Sequence, residues 1–127
     1  MPGKSLTIRT KIKATPEEVY RALTHPFAIE LWTGAPAEMS EEPGSDFSLL
    51  DGNIVGRNLA FEPGSSIRQQ WFFGEDEPSE VLLEIFPDKG HSQLKVVHTE
   101  IPEEAYENMK EGWKESYLGP LKDFFEK

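Results

Sequence analysis

From residue 5 to residue 12 the side chains alternate: Leu6, Ile8 and Ile12 fall on one side, Thr7, Arg9 and Lys11 on the other. A period of two is a strand with one dry face. Thr10 interrupts the dry row. Thr15-Pro16-Glu17-Glu18 then carries the marks of a helix start. Thr15 can cap, Pro16 suits the first helical position, and Glu18 completes a capping box. Val19, Tyr20, Ala22 and Leu23 follow at helical spacing. Pro26 ends this helix, because the residue before a proline is pushed out of the helical region, and it opens a second short helix from Phe27 to Trp32.

Residues 33–46 read as loop with one short strand around Ala37–Met39. Phe47-Ser48-Leu49 begins a strand, Asp51-Gly52-Asn53 supplies a hairpin turn, and the partner runs from about Ile54 to Phe61. After Pro63-Gly64, the residues Ile67, Gln69, Trp71 and Phe73 share one face of the next strand, and Gly74 to Pro78 form an acidic loop. Val81, Leu83 and Ile85 line a further strand. Asp88-Lys89-Gly90 turns the chain into Gln93–Thr99, where Leu94, Val96 and His98 oppose Lys95, Val97 and Thr99.

The last segment changes period. Pro102-Glu103-Glu104 puts acids at the positive end of a helix. Tyr106, Met109, Trp113, Tyr117, Leu121 and Phe124 follow three or four apart as one apolar stripe. From Glu103 to Phe125 that helix would run roughly 34 Å at 1.5 Å per residue. Gly119-Pro120 lies inside it and predicts a kink or break. Strands joined by short turns are antiparallel, and helices segregated from strands indicate α+β. One long stripe needs a concave apolar surface. The expectation is a curled antiparallel sheet of about six strands wrapped around the C-terminal helix, with residues 1–127 as one domain.

The net charge of −10 changes the list of partners more than the fold. Phosphate backbones and anionic membrane surfaces repel such a chain, so neither nucleic acid nor membrane is expected. A basic protein or a neutral apolar ligand is not disfavoured. The absence of cysteine excludes disulfide scaffolds, thiolate metal sites and Cys nucleophiles. Met1-Pro2-Gly3-Lys4 leads straight into the first strand, so no signal peptide is expected, and no apolar run approaches a membrane span. The expectation is a cytoplasmic monomer.

Several segments resemble a known family. They are residues 15–23 (Thr15 to Leu23), Ala35-Pro36-Ala37, residues 51–56 (Asp51 to Gly56), the strand ending in Trp71-Phe72-Phe73, and Gly112-Trp113 with Tyr117, Leu121 and Phe124 behind it. In this order they resemble the activator of Hsp90 ATPase homologues in its C-terminal-domain form, within the START-like (SRPBCC) helix-grip superfamily. The resemblance implies a groove between sheet and C-terminal helix. In the eukaryotic co-chaperone it implies a preceding N-terminal domain that carries much of the ATPase stimulation, and these residues hold no counterpart of it. Superfamily relatives bind lipids, hormones or polyketides, and a few are enzymes.

Candidate chemistry is sparse. His25, His91 and His98 lack metal-ligand spacing, and no phosphate loop, nucleophile elbow or Ser/His/Asp arrangement is visible. Paired carboxylates do acid–base work only in dry surroundings, and Glu41-Glu42, Glu75-Asp76-Glu77 and Glu103-Glu104 fall in loops or at a helix start, where water screens them. No catalytic residue, metal or cofactor is therefore assigned. The aromatics are the site candidates: Trp32, Phe47, Trp71, Phe73, Trp113 and Tyr117 should converge between sheet and helix, as a filled core or as a hydrophobic pocket. Gln69 and His98 face the same way. Unpaired buried polar groups cost roughly 1–3 kcal/mol each, so these two require a ligand, water or each other. The sequence thus favours a non-enzymatic domain that binds a small hydrophobic ligand or a protein partner. A co-chaperone for the Hsp90-type chaperone, and a cyclase- or hydrolase-like enzyme, are the alternatives.

Overall fold

The computed structural model describes residues 3–73 and 78–126. Its elements are β1 (Lys4–Ile12), α1 (Pro16–Thr24), α2 (Pro26–Thr33), β2 (Asp46–Leu49), β3 (Ile54–Glu62), β4 (Ser66–Trp71), β5 (Ser79–Asp88) and β6 (His91–Ile101), followed by the C-terminal helix. The six strands form one antiparallel sheet in the order β1-β6-β5-β4-β3-β2. The sheet curls around that helix, as the periodicity implied.

Local rules explain the turns. Asp88 pairs with His91, so Lys89-Gly90 alone make the β5–β6 turn, with φ of 52° and 87°. A two-residue hairpin requires positive φ at both places to match strand twist. At α1 the Thr15 hydroxyl accepts the Glu18 N–H at 3.2 Å, and the Glu18 carboxylate accepts the Thr15 N–H at 3.0 Å. That backbone hydrogen bond, with the hydroxyl, holds the Glu18 carboxyl below its usual range. α2 stops at Gly34, whose φ is 73°.

Four expectations need correction or bounding. Around Ala37–Met39 there is an isolated bridge, Glu38 to Ser48, rather than a strand. β4 ends at Trp71, so Phe73 lies beyond the strand whose face it was expected to share. Most of the acidic loop, including Glu75-Asp76-Glu77, lies outside the described residues. Gly119-Pro120 does not break the last helix. After a 3-10 turn at Glu103–Ala105 the helix runs as α3 (Tyr106–Gly112), a π-helical segment (Trp113–Leu118) and α4 (Gly119–Glu126). The Gly119 N–H donates to the Lys114 carbonyl five residues back. A plain α-turn would set the Pro120 ring against the Ser116 carbonyl, and the wider π turn relieves that collision. It also brings the adjacent residues Tyr117 and Leu118 into the core together.

The core lies between sheet and helices. Ile67, Val81, Leu83, Leu94, Val96 and Leu121 are almost wholly buried, and α1 and α2 close the side with Val19, Leu23, Ile29 and Trp32.

Candidate functional site: a small pocket above a buried polar chain

β4, β5, β6 and the π-helical segment bring their bulky residues together at one end of the sheet. Trp71 and Trp113 stack at 4.6 Å with planes 18° apart. Tyr117 packs on Trp113 at 4.6 Å, and Trp32 meets Tyr117 edge-on at 5.1 Å. His98 stands edge-on to Trp71 at 5.3 Å, and Phe73 covers His98 at 6.2 Å. Phe47 is apart from this cluster: its ring lies over Gly56, where a Cβ would come within 2.8 Å of it.

The inward polar residues are hydrogen-bonded in a directed chain. The Trp113 indole N–H donates to His98 Nδ1 at 2.9 Å. The Ser79 hydroxyl donates to the Trp71 carbonyl at 3.0 Å, so at 2.8 Å from His98 Nε2 it accepts the imidazole proton. These partners select the neutral Nε2–H tautomer. Burial pushes the His98 pKa down to about 4, so the imidazole is neutral near pH 7. In parallel the Trp71 indole donates to Gln69 Oε1 at 2.9 Å, and Gln69 Nε2 donates to Asn58 Oδ1 at 3.0 Å. Asn58 passes its own protons to the Ser40 carbonyl and the Ser45 hydroxyl at 3.2 and 3.1 Å. Gln69 and His98 are thus satisfied by protein groups and make no demand on a ligand. Among the described residues no fully buried side-chain N or O atom lacks a partner.

A pocket of about 150 Å³ opens above this chain, between the β2–β3 turn and the C-terminal helix. Trp71, Trp113, Tyr117, Ile54 and Met109 line it with the polar residues Asn53, Asn108 and Ser116, and none of the lining residues is charged. Trp32, Phe47, Gln69, Phe73 and His98 do not line it. Tyr117 is only 3% exposed, and its hydroxyl has no hydrogen-bond partner among the described residues. This oxygen is not fully sealed off, and burial raises the pKa of the phenol. The Tyr20 phenol is also raised, first by burial and then by the Glu41 carboxylate that accepts its proton at 2.7 Å. No group of three or more His, Asp or Glu able to hold a metal occurs among the described residues.

The family model described as Activator of Hsp90 ATPase homolog 1-like protein matches residues 13–126. The chain belongs to this family. Within the activator family, similar curated proteins are the activator of 90 kDa heat shock protein ATPase homolog 1 of Mus musculus and the homolog of Dictyostelium discoideum. The first is 27% identical over 98% of this chain, the second 29% over 96%. The chain spans only 38% and 33% of their lengths. A crystal structure of an HSP90 activator from Plasmodium falciparum superposes with a TM-score of 0.88 at 26% identity, covering 96% of each chain. The helix-grip architecture is therefore the family's. No helix among the described residues is long and apolar enough to cross a membrane.

Asn58, Ser79 and the Tyr117 hydroxyl were not singled out from the sequence. Ser79 shares the inward parity of Val81 and Leu83, and Asn58 lies opposite Gln69 in register. Strand parity would have found both.

Proposed function

We propose that this member of the activator family is a non-enzymatic binding domain whose pocket receives one small, neutral, largely apolar group, from a small molecule or from a partner's side chain. The observation that supports this reading is a pocket with no charged lining residue, walled by Trp71, Trp113 and Tyr117 and bordered by Asn108 and Ser116. A pocket of about 150 Å³ accepts a benzene-sized ligand, whereas drug-sized ligands need about 300 Å³ or more. A carboxylate would lose its water there without gaining a counter-charge, while a carbonyl oxygen can accept the phenol proton. His98 gives no support to acid–base catalysis: it is neutral, its ring nitrogens are both engaged, and it does not reach the pocket.

Titration with acetophenone, a ring carrying one acceptor, tests the proposal by amide and indole chemical shifts. Millimolar binding that moves Gly112, Trp113 and Ser116 is the expected result, weakened by Tyr117→Phe and abolished by Gly112→Leu. Absence of shifts at solubility-limiting ligand would refute it.

A second reading, a co-chaperone of an Hsp90-type chaperone, is favoured by the extent of the Plasmodium match, which covers 96% of the crystallised chain of an HSP90 activator. The test is the ATPase rate of the Hsp90-type chaperone from the same organism. Stimulation that saturates with the domain supports this reading, and an unchanged rate at saturating domain removes it.

A further inference from the structure

On the opposite flank of the π-helical segment lies a second groove, about 320 Å³, between β1 and the C-terminal helix. It shares no residue with the pocket. Ile8, Arg9 and Thr10 line one side consecutively. Neighbouring strand residues point to opposite faces, so three in a row means that the strand is presented by its edge. β1 is the terminal strand of the sheet and pairs with β6 alone among the described strands. Leu118 lies on the helix side, flanked by Lys114 and Lys122.

The charge here is opposite to that of the molecule. The protein carries −10, yet this groove is lined by three cations and no acid. Arg9 and Lys114 have no carboxylate within 4.0 Å among the described residues. Arg9 stands opposite Lys95 in register, and the carboxylate on that row, Glu84, lies 3.9 Å from Lys95 on the far side from Arg9.

We infer that this groove binds a short, extended, acidic peptide segment of a partner protein. The segment lies along the β1 edge, sets its carboxylates against Arg9, Lys114 and Lys122, and rests an apolar side chain on Ile8 and Leu118. Backbone pairing at an open edge and charge complementarity are the two sources of its affinity. A membrane surface or a nucleic acid would present its negative charge to the whole −10 molecule, whereas a short peptide presents it at the groove only. The inference does not depend on the pocket's ligand.

The probe is a fluorescein-labelled nine-residue peptide alternating Asp or Glu with Val, read by anisotropy and by amide shifts on the intact chain. The expected result is salt-sensitive binding that moves Ile8 to Thr10 and Lys114 to Leu118, weakened at least tenfold in Arg9→Glu/Lys114→Glu. Arg9→Lys should retain binding, and Gly112→Leu, which fills the pocket, should leave it unchanged. Both cations are exposed, so the circular-dichroism melt of the double variant should match that of the parent. Loss of binding without loss of fold supports the inference. No binding, binding indifferent to charge reversal, or equal competition by phosphatidylserine vesicles or heparin at these residues would overturn it.

Discussion

Acid should destabilise this protein through His98. In the fold its pKa lies near 4, and in the unfolded chain near 6.5. Between those values the unfolded state binds a proton that the folded state refuses. Stability therefore rises with pH across this window, and the contribution is complete above pH 6.5 and lost as pH falls towards 4. Integrating the two titrations, the loss relative to neutral pH is about 1 kcal/mol at pH 6, about 2 at pH 5 and about 3 at pH 4. The geometry supplies the reason. A second proton on the ring would sit on Nδ1, facing the Trp113 N–H at 2.9 Å, so two donors would meet inside the core. The assay is urea unfolding of the parent and of His98→Gln at pH 7, 6 and 5. The variant should be less stable by about 1–3 kcal/mol at pH 7, since one buried partner is left unpaired. Carboxylate titration acts on both proteins and cancels in the difference. The gap should then shrink by about 2 kcal/mol at pH 5. A gap independent of pH, or an NMR titration of His98 with its midpoint near 6.5, would refute the reasoning.

Two glycines of the C-terminal helix should respond with opposite sign to alanine. A Cβ at Gly119 would stand 2.6 Å from the Lys114 carbonyl, so Gly119→Ala should destabilise by about 1–2 kcal/mol in urea unfolding, against its helix propensity. A Cβ at Gly112 meets nothing within 4 Å, so Gly112→Ala should stabilise by up to about 1 kcal/mol in the same assay. Gly56→Ala would drive a methyl to 1.9 Å from the Gln70 carbonyl and into the Phe47 ring, and soluble yield should collapse. Thr15→Ala removes one half of the capping box and should cost about 1 kcal/mol by thermal or urea unfolding.

The fold was legible because each of its parts is announced locally. Alternation in β1, β5 and β6 put Leu6, Val81, Leu83, Leu94 and Val96 on the dry face, and the Thr15 capping box begins α1 where the residues require it. The π turn was not legible, since Trp113, Tyr117 and Leu121 are four apart and fit an ordinary helix. Gly119-Pro120 announced a disturbance but not its form. Whether a proline breaks a helix or widens the turn before it depends on what lies beneath. Here Tyr117 and Leu118 are both buried, and leaving the helix would uncover them.

The site was legible only in part, for a different reason. Parity identified Gln69 and His98 as inward polar residues, but parity cannot say whether an inward polar group is satisfied. That depends on pairings across strands: Asn58 faces Gln69 from β3, and Ser79 reaches His98 across the β5–β6 pair. Both residues supply what the inward pair needs, and both lie far from it in sequence. With those demands met, the hydroxyl of Tyr117, which in the sequence is one more aromatic in the helix stripe, has no protein partner among the described residues, and Tyr117 lines the pocket with Asn108 and Ser116. The π turn sets Tyr117 beside Trp113 and Ser116 on the pocket while Lys114 and Leu118 face the β1 groove. A single widened turn thus lets this helix border both the pocket and the β1 groove, and straightening it should disturb both together.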